Sequence, residues 1–244
     1  MENYYLLLNK KLENCIKNKN IKINEKILRD KIIIKKNKEK TINFDEKIKK
    51  MSLNFCWIIN CNLCRKEVKE RKEFFENKYD WWILPKWNII NPKYFFIWIA
   101  PWRDKHRLYK ILNHWNLFCL DMKSWNFLIN ILKEIWVYEN SYFTNIIKCI
   151  TPKDKIFELN EVNTCIKNHL ESEIETLLPK KLIFLWNNAY NYFINHLKIN
   201  TKLYKLIKKN NIQLHKIYHP SYIITYNPKL IEKYKEKIIN IFQK

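Results

Sequence analysis

The sequence contains no glycine, although a chain of its length carries roughly 17 at average usage. Glycine supplies positive φ and lets backbones approach closely, so an α/β fold without it must either avoid such positions or fill them with another residue. Long apolar runs are also missing. No stretch reaches about 18 uninterrupted apolar residues, so there is no candidate membrane-spanning helix. Residues 1–10 lack a signal-peptide core and cleavage site. The chain therefore reads as cytoplasmic, and its seven cysteines as thiols or metal ligands rather than a disulfide framework. Acidic residues are scarce, 24 against 46 Lys and Arg, for a formal net charge of +22. That imbalance suggests a polyanionic partner, nucleic acid or an acidic membrane surface. Part of it belongs to the Lys, Asn, Ile, Tyr and Phe bias of a gene of very low GC content.

What is present in excess is tryptophan, ten residues in an otherwise AT-biased sequence. Its positions are candidates for those that glycine would occupy. A length of 244 residues suits one sizeable α/β domain with an extension. Residues 1–53 alternate Lys/Asn clusters with short Ile/Leu runs, such as 21–34. They read as a solvated or partly disordered basic extension, with a DNA-tracking arm as the alternative. The domain then occupies 54–244.

Cys61 and Cys64 form a C-x2-C at the start of a charged, helix-like run over 65–77. Residues 94–99 are a continuous apolar run and predict a buried strand that leads into Ala100, Pro101, Trp102, Arg103 and Asp104. A polar, loop-like segment with His106, His114 and Phe118 reaches Leu120. Phe127, Leu128, Ile131, Leu132 and Ile135 recur at helical spacing and predict a helix over 124–136. Thr144 to Ile147 end a second strand. Asn145, a polar side chain on its last turn, faces a cleft and is a candidate reader of a small polar ligand. Cys149 follows that strand, and Cys165 lies on a predicted helix over 160–178 with Val162, Ile166, His169 and Leu170. A third strand is expected over 181–186, with Asn187 and Asn188 capping a helix through Leu197. A fourth, over 213–218, leads into His219, Pro220 and Ser221, and a helix over 228–242 closes the chain.

Strands that alternate with helices imply a three-layer α/β/α fold with a central four-stranded parallel sheet. Ligands in such sheets bind outside the carboxyl ends of the strands. All four predicted ends carry something distinctive: Ile99-Ala100-Pro101, Asn145, Trp186-Asn187-Asn188 and His219-Pro220-Ser221.

These residues resemble a known family, the uracil-DNA glycosylase superfamily, and most closely its iron-sulfur branches, families 4 and 5. The resemblance covers roughly Asn54 to the C-terminus. Tyr142-Phe143-Thr144-Asn145-Ile146-Ile147-Lys148-Cys149 is similar to the family's Y-x-T-N-x-V-K-C. His219-Pro220-Ser221-Tyr222-Ile223-Ile224 with Asn227-Pro228 looks like its H-P-[SA]-Y-L-L…N-P, and 182–189 is similar to V-I-x-x-L-G-x-x-A. Cys61, Cys64, Cys149 and Cys165 reproduce its C-x2-C…C-x15-C pattern. Four thiolates favour an iron-sulfur cluster or zinc, and the fifteen-residue gap of the second pair does not fit a zinc ribbon. The resemblance implies a structural [4Fe-4S] cluster on these four cysteines.

It also implies roles for the site. Phe118 would stack on uracil, Asn145 would bind the Watson-Crick edge, and His219 would donate to uracil O2, where negative charge develops. Ile99, Ala100 and Pro101 would line the pocket, and Ser221 with the backbone around Pro220 would meet DNA phosphates. Ile99 stands where family 4 has an acid, and a hydrophobic side chain cannot orient or deprotonate water. Asp121 is the better candidate for positioning water, with Asp104 in reserve. Leu117 replaces the proline of the family's G-x-P-F segment. The other histidines, including His169, His196 and His215, read as ordinary.

Trp98, Trp102, Trp125, Trp136 and Trp186 fall where this family has glycine, and Trp115 matches the glycine of G-x-P-F. The expectation is that many or all ten tryptophans are glycines in the living cell, encoded by UGA in a lineage that reads that codon as glycine. A decayed or genuinely tryptophan-rich homologue is the alternative. The function expected is hydrolysis of the N-glycosidic bond of uracil in DNA by a cytoplasmic monomer. The competing classes are an inactive iron-sulfur DNA-binding protein of the same fold, a glycosylase for another deaminated base, and a zinc-bound nucleic-acid adaptor.

Overall fold

The run Tyr94–Trp98 has no polar face, and it forms an interior strand, β1, that pairs with a neighbour on each side. The structure, a computed structural model, describes residues 50–51, 92–100, 123–148 and 157–243. Within them β1, β2 (Ser141–Asn145), β3 (Lys181–Leu185) and β4 (Gln213–Ile217) make one parallel sheet in the order β2-β1-β3-β4. The four strands stand where the apolar runs predict them, each stopping one or two residues earlier. β2 and β3 are buried throughout because helices cover both faces, whereas β4 is an edge strand whose Gln213 and Lys216 reach solvent.

The order of the strands decides where the helices go. The chain leaves β1 toward β2 on one side and then crosses back to β3 and β4 on the other, so right-handed crossovers place helices on opposite faces. On the first face lie α1 (Lys123–Glu134) and the C-terminal α6 (Ile231–Gln243), joined by stacking of Phe127 on Tyr234 at 5.9 Å. Phe96 packs there against Phe143 at 5.1 Å and Phe242 at 6.2 Å. The opposite face holds α2 (Leu159–Cys165), α3 (Glu171–Leu177), α4 (Asn187–Ile199) and α5 (Thr201–Lys209), with Phe184 against Phe193 of α4 at 4.9 Å. Each fully buried aromatic side chain contributes about 1.5–3 kcal/mol relative to exposure. Met51 is buried with this core.

Two expectations are corrected. The helix predicted over 160–178 is present as α2 and α3, but a π turn over Ile166–Leu170 joins them, where the Glu171 N–H reaches back to the Ile166 carbonyl. Asn187 and Asn188 are not caps. They are the first residues of α4, and the capping position is Trp186, whose side chain makes no cap hydrogen bond.

A buried polar triangle ties β2 to α3. Lys148 Nζ lies 2.7 Å from Glu173 Oε1, Thr144 Oγ1 donates to Glu173 Oε2 at 2.8 Å, and Lys148 Nζ donates to Thr144 Oγ1 at 2.5 Å. Burial pushes the Glu173 carboxyl up, while Lys148 and Thr144 draw it back. Removing one partner strands the other charge in the interior. Glu173→Gln or Lys148→Met is therefore expected to lower stability by ~3–5 kcal/mol in urea titrations, with Lys148→Met/Glu173→Leu recovering most of it. Single variants within about 0.5 kcal/mol of the parent would show that the pair is solvated.

Candidate active site

The strand order reverses between β1 and β3, and in sheets of this kind ligands bind outside the carboxyl ends of the strands at that point. Asn145 is the last residue of β2 and the register partner of Trp98. Pairing continues past both, with the Ile146 N–H donating to the Trp98 carbonyl at 2.7 Å and the Ile147 N–H to the Ile99 carbonyl at 2.8 Å. The backbone beneath Asn145 is thus fixed on both sides. Its amide is buried, and neither Nδ2 nor Oδ1 has a hydrogen-bond partner among the described residues. Leaving both halves of an amide unpaired costs on the order of 1–3 kcal/mol per group. A ligand that offers an acceptor beside a donor would satisfy both.

His219 follows β4 after Tyr218, whose carbonyl is held by the Tyr234 hydroxyl at 2.8 Å. The Ser221 backbone N–H donates to His219 Nδ1 at 3.1 Å, and Ser221 Oγ lies 2.5 Å from the same atom. A backbone N–H can only donate, so Nδ1 is an acceptor and the ring proton sits on Nε2. Nε2 is buried and has no partner among the described residues. Burial pushes the imidazole down to about 3, so the ring is a neutral donor at physiological pH. Trp98 and Trp125 flank it, with ring centroids 3.6 Å and 5.8 Å from the imidazole. Trp98 therefore links the two polar groups, paired with Asn145 through the backbone and pressed on His219 through its indole.

Of the residues expected to hold a metal, Cys165 is described. It is buried at the end of α2, and its Sγ accepts the backbone N–H of Lys148 at 3.4 Å. Lys148 immediately precedes Cys149. An N–H aimed at sulfur favours the thiolate that a cluster or zinc requires, so this residue fits the expected group. His169, on the π turn that follows, is lowered to about 3 by burial and then by Lys148.

Ile99 and Ala100 continue β1 beyond Trp98, the first half-buried and the second buried. Ser221 is engaged with His219, a role the motif alone does not disclose. Pro101, Asp104, Phe118, Asp121, Cys61, Cys64 and Cys149 lie outside the described residues. The motif that holds Thr144 and Lys148 does not disclose that the two meet Glu173 beneath the site. A signal for Glu173 exists: it falls between Leu170, Ile174 and Leu177 on the apolar stripe of its helix, where an acid needs a buried partner.

The described residues thus form a parallel α/β sheet with a buried amide and a buried imidazole near its carboxyl edge whose Nδ2, Oδ1 and Nε2 atoms have no hydrogen-bond partner among them. The sequence profile of the uracil DNA glycosylase superfamily matches residues 84–243, and the chain belongs to that superfamily. Among solved structures it is similar to the crystal structure of wild-type SMUG2 from Pedobacter heparinus, with a TM-score of 0.41 and 17% identity over 63% of this chain and 75% of that one. No curated protein matches it. Among the described residues no helix is long and apolar enough to cross a membrane.

Both low-pKa histidines stay neutral in the folded state and take up protons once unfolded, at an ordinary value near 6.5. Their contribution to stability is complete above that value and declines as the pH falls toward 3. The unfolding free energy from urea titrations should therefore fall between pH 7 and pH 5, by up to about 1.4 kcal/mol per pH unit for each histidine. His219→Asn should flatten the slope, and an unchanged slope would show that the ring is protonated when folded.

Proposed function

We propose that the protein is a uracil-DNA glycosylase, which hydrolyses the N-glycosidic bond of uracil in DNA, leaves an abasic site and so begins base-excision repair. The observation that carries the reading is the set of three unpaired, buried polar atoms, Asn145 Nδ2, Asn145 Oδ1 and His219 Nε2, at the carboxyl edge of the sheet. Uracil extruded from the stack offers O4 and N3–H side by side, which match the donor and acceptor of one side-chain amide. As the bond from N1 to C1′ breaks, the electron pair passes to the base and charge accumulates on O2. A neutral histidine with its proton on Nε2 stabilises that charge by donating to it, a contribution of roughly 10²–10³ in rate for one such donor. Water adds to C1′ and its proton leaves through Asp121, with Asp104 as the reserve. Phe118 stacks on the ring, while Ile99, Ala100 and Pro101 form the wall beside it. Beyond orienting His219, Ser221 and the backbone around Pro220 face phosphates, as do some of the lysines.

Cys61, Cys64, Cys149 and Cys165 would hold a [4Fe-4S] cluster that ties residues before the sheet to the helix that carries Cys165. The N–H from Lys148 to Cys165 Sγ supports this, because it places the residue before Cys149 against the thiol of the fourth ligand. The cluster supplies structure, and the chemistry belongs to Asn145, His219 and the aspartates. Anaerobically purified protein should contain about four irons per chain, and Cys165→Ser should lower both the iron content and the melting temperature. Zinc in place of iron would overturn the cluster assignment.

One observation favours a second reading, an inactive DNA-binding protein of the same fold: the Trp98 indole lies against the imidazole that would meet the base. The test is uracil release from a labelled oligonucleotide by the chain as written and with glycine at the ten tryptophan positions. Asn145→Ala and His219→Ala should each reduce release by at least about 10²-fold in whichever form is active. No release from either form, with iron retained, would replace the enzyme by the binding protein.

A further inference from the structure

Four described residues have positive φ: Trp136 at 57°, Leu178 at 45°, Trp186 at 110° and Asn211 at 51°. Asparagine visits this region with little penalty, whereas a bulky indole does not. Two of the four are tryptophans, and each is held by hydrogen bonds that prevent it from relaxing. Trp136 ends α1. Its N–H donates to the Lys133 carbonyl at 3.0 Å, and the Val137 N–H donates to the Leu132 carbonyl at 2.8 Å. That pair of bonds is the Schellman motif, and Trp136 occupies the left-handed position where helices ordinarily end in glycine. Its side chain is 86% exposed, so no packing compensates for the backbone.

Trp186 turns the chain from β3 into α4 with φ 110° and ψ 148°, a region essentially reserved for glycine. Its N–H donates to the Ile217 carbonyl at 2.9 Å, and its carbonyl accepts from the Tyr190 N–H at 3.4 Å. The third case is steric. The Trp98 indole centroid lies 3.6 Å from the imidazole centroid of His219, shorter than the roughly 4.5–7 Å of ordinary ring pairs. Removal of that side chain would free the face of His219 and leave the pairing of β1 with β2 intact, because residue 98 contributes only its backbone there.

The geometry points to glycine, rather than tryptophan, at residues 98, 136 and 186 of the polypeptide made in its own cell. Three unrelated demands, a helix C-terminus, a strand-to-helix corner and a crowded ring, fall on the residue type in excess in a chain that has no glycine. A UGA codon links the two anomalies, since it is read as tryptophan in some genetic codes and as glycine in others. This inference stands apart from the reaction proposed above and would hold for a protein without activity.

Two measurements decide it. Tryptic peptides spanning 94–103, 134–148 and 182–198, taken from protein isolated from the source cells, should have the masses for glycine at 98, 136 and 186. Tryptophan at any of the three overturns the inference at that position. In recombinant protein, Trp136→Gly and Trp186→Gly should each raise Tm by roughly 2–10 °C, and Trp98→Gly should return the His219 imidazole toward its ordinary pKa in an NMR titration. A fall in Tm with both Trp136→Gly and Trp186→Gly would show that the backbone there does not require glycine, and would overturn it on structural grounds.

Discussion

A charge in a protein interior is tolerated only beside its partner, and the pairing of Lys148 with Glu173 therefore constrains everything around the carboxyl end of β2. Thr144 completes the triangle from within the strand, and Asn145 is the next residue. The same lysine gives its backbone N–H to Cys165 at the end of α2. One residue thus joins the segment that carries Asn145, the thiol of Cys165 and the helix layer. A shift of α3 against the sheet would expose the pair and misplace Asn145 at the same time.

The polar groups left unpaired contrast with those that are paired. His196, buried between α2, α3 and α4, meets Asn163 at 3.0 Å and Glu171 at 2.8 Å, and Asn200 also bonds Glu171. These contacts close a structural network. At the carboxyl edge, Asn145 and His219 Nε2 have no partner among the described residues, although the backbone beneath each is fixed. Rigid support under unsatisfied polar atoms is what preorganised recognition requires, because little ordering remains to be done when a ligand arrives.

Much of the architecture was legible because burial on both faces leaves a plain mark. Tyr94–Trp98 and Lys181–Leu185 are nearly unbroken apolar runs, and both became strands. Asn145 and His219 could be placed because the strands that carry them end where the motifs begin. What could not be read depends on contacts far apart in sequence. Lys148 and Glu173 are 25 residues apart, and nothing local signals that their charges meet. The π turn after Cys165 escapes because its apolar stripe still approximates helical spacing. Asn187 and Asn188 look like caps in sequence, yet they lie inside α4, because the chain enters that helix through positive φ at Trp186, a conformation that tryptophan does not suggest. Glycine-like positions, by contrast, show in the composition and in the family motifs, and at Trp136 and Trp186 also in the backbone angles.

The strand order also governs the life of the chain during synthesis. β1 lies between β2 and β3, and its partner Lys181 is far downstream of Tyr94. Until the ribosome has delivered β3, one long edge of β1 stays open, with the aromatic residues Phe95 and Phe96 uncovered on either side. The sheet cannot close hairpin by hairpin, since every pairing is parallel and spans a crossover. The nascent chain therefore passes through a period in which the apolar residues of β1 lack one of their two strand partners, the kind of exposure that makes slow-forming parallel sheets prone to aggregation.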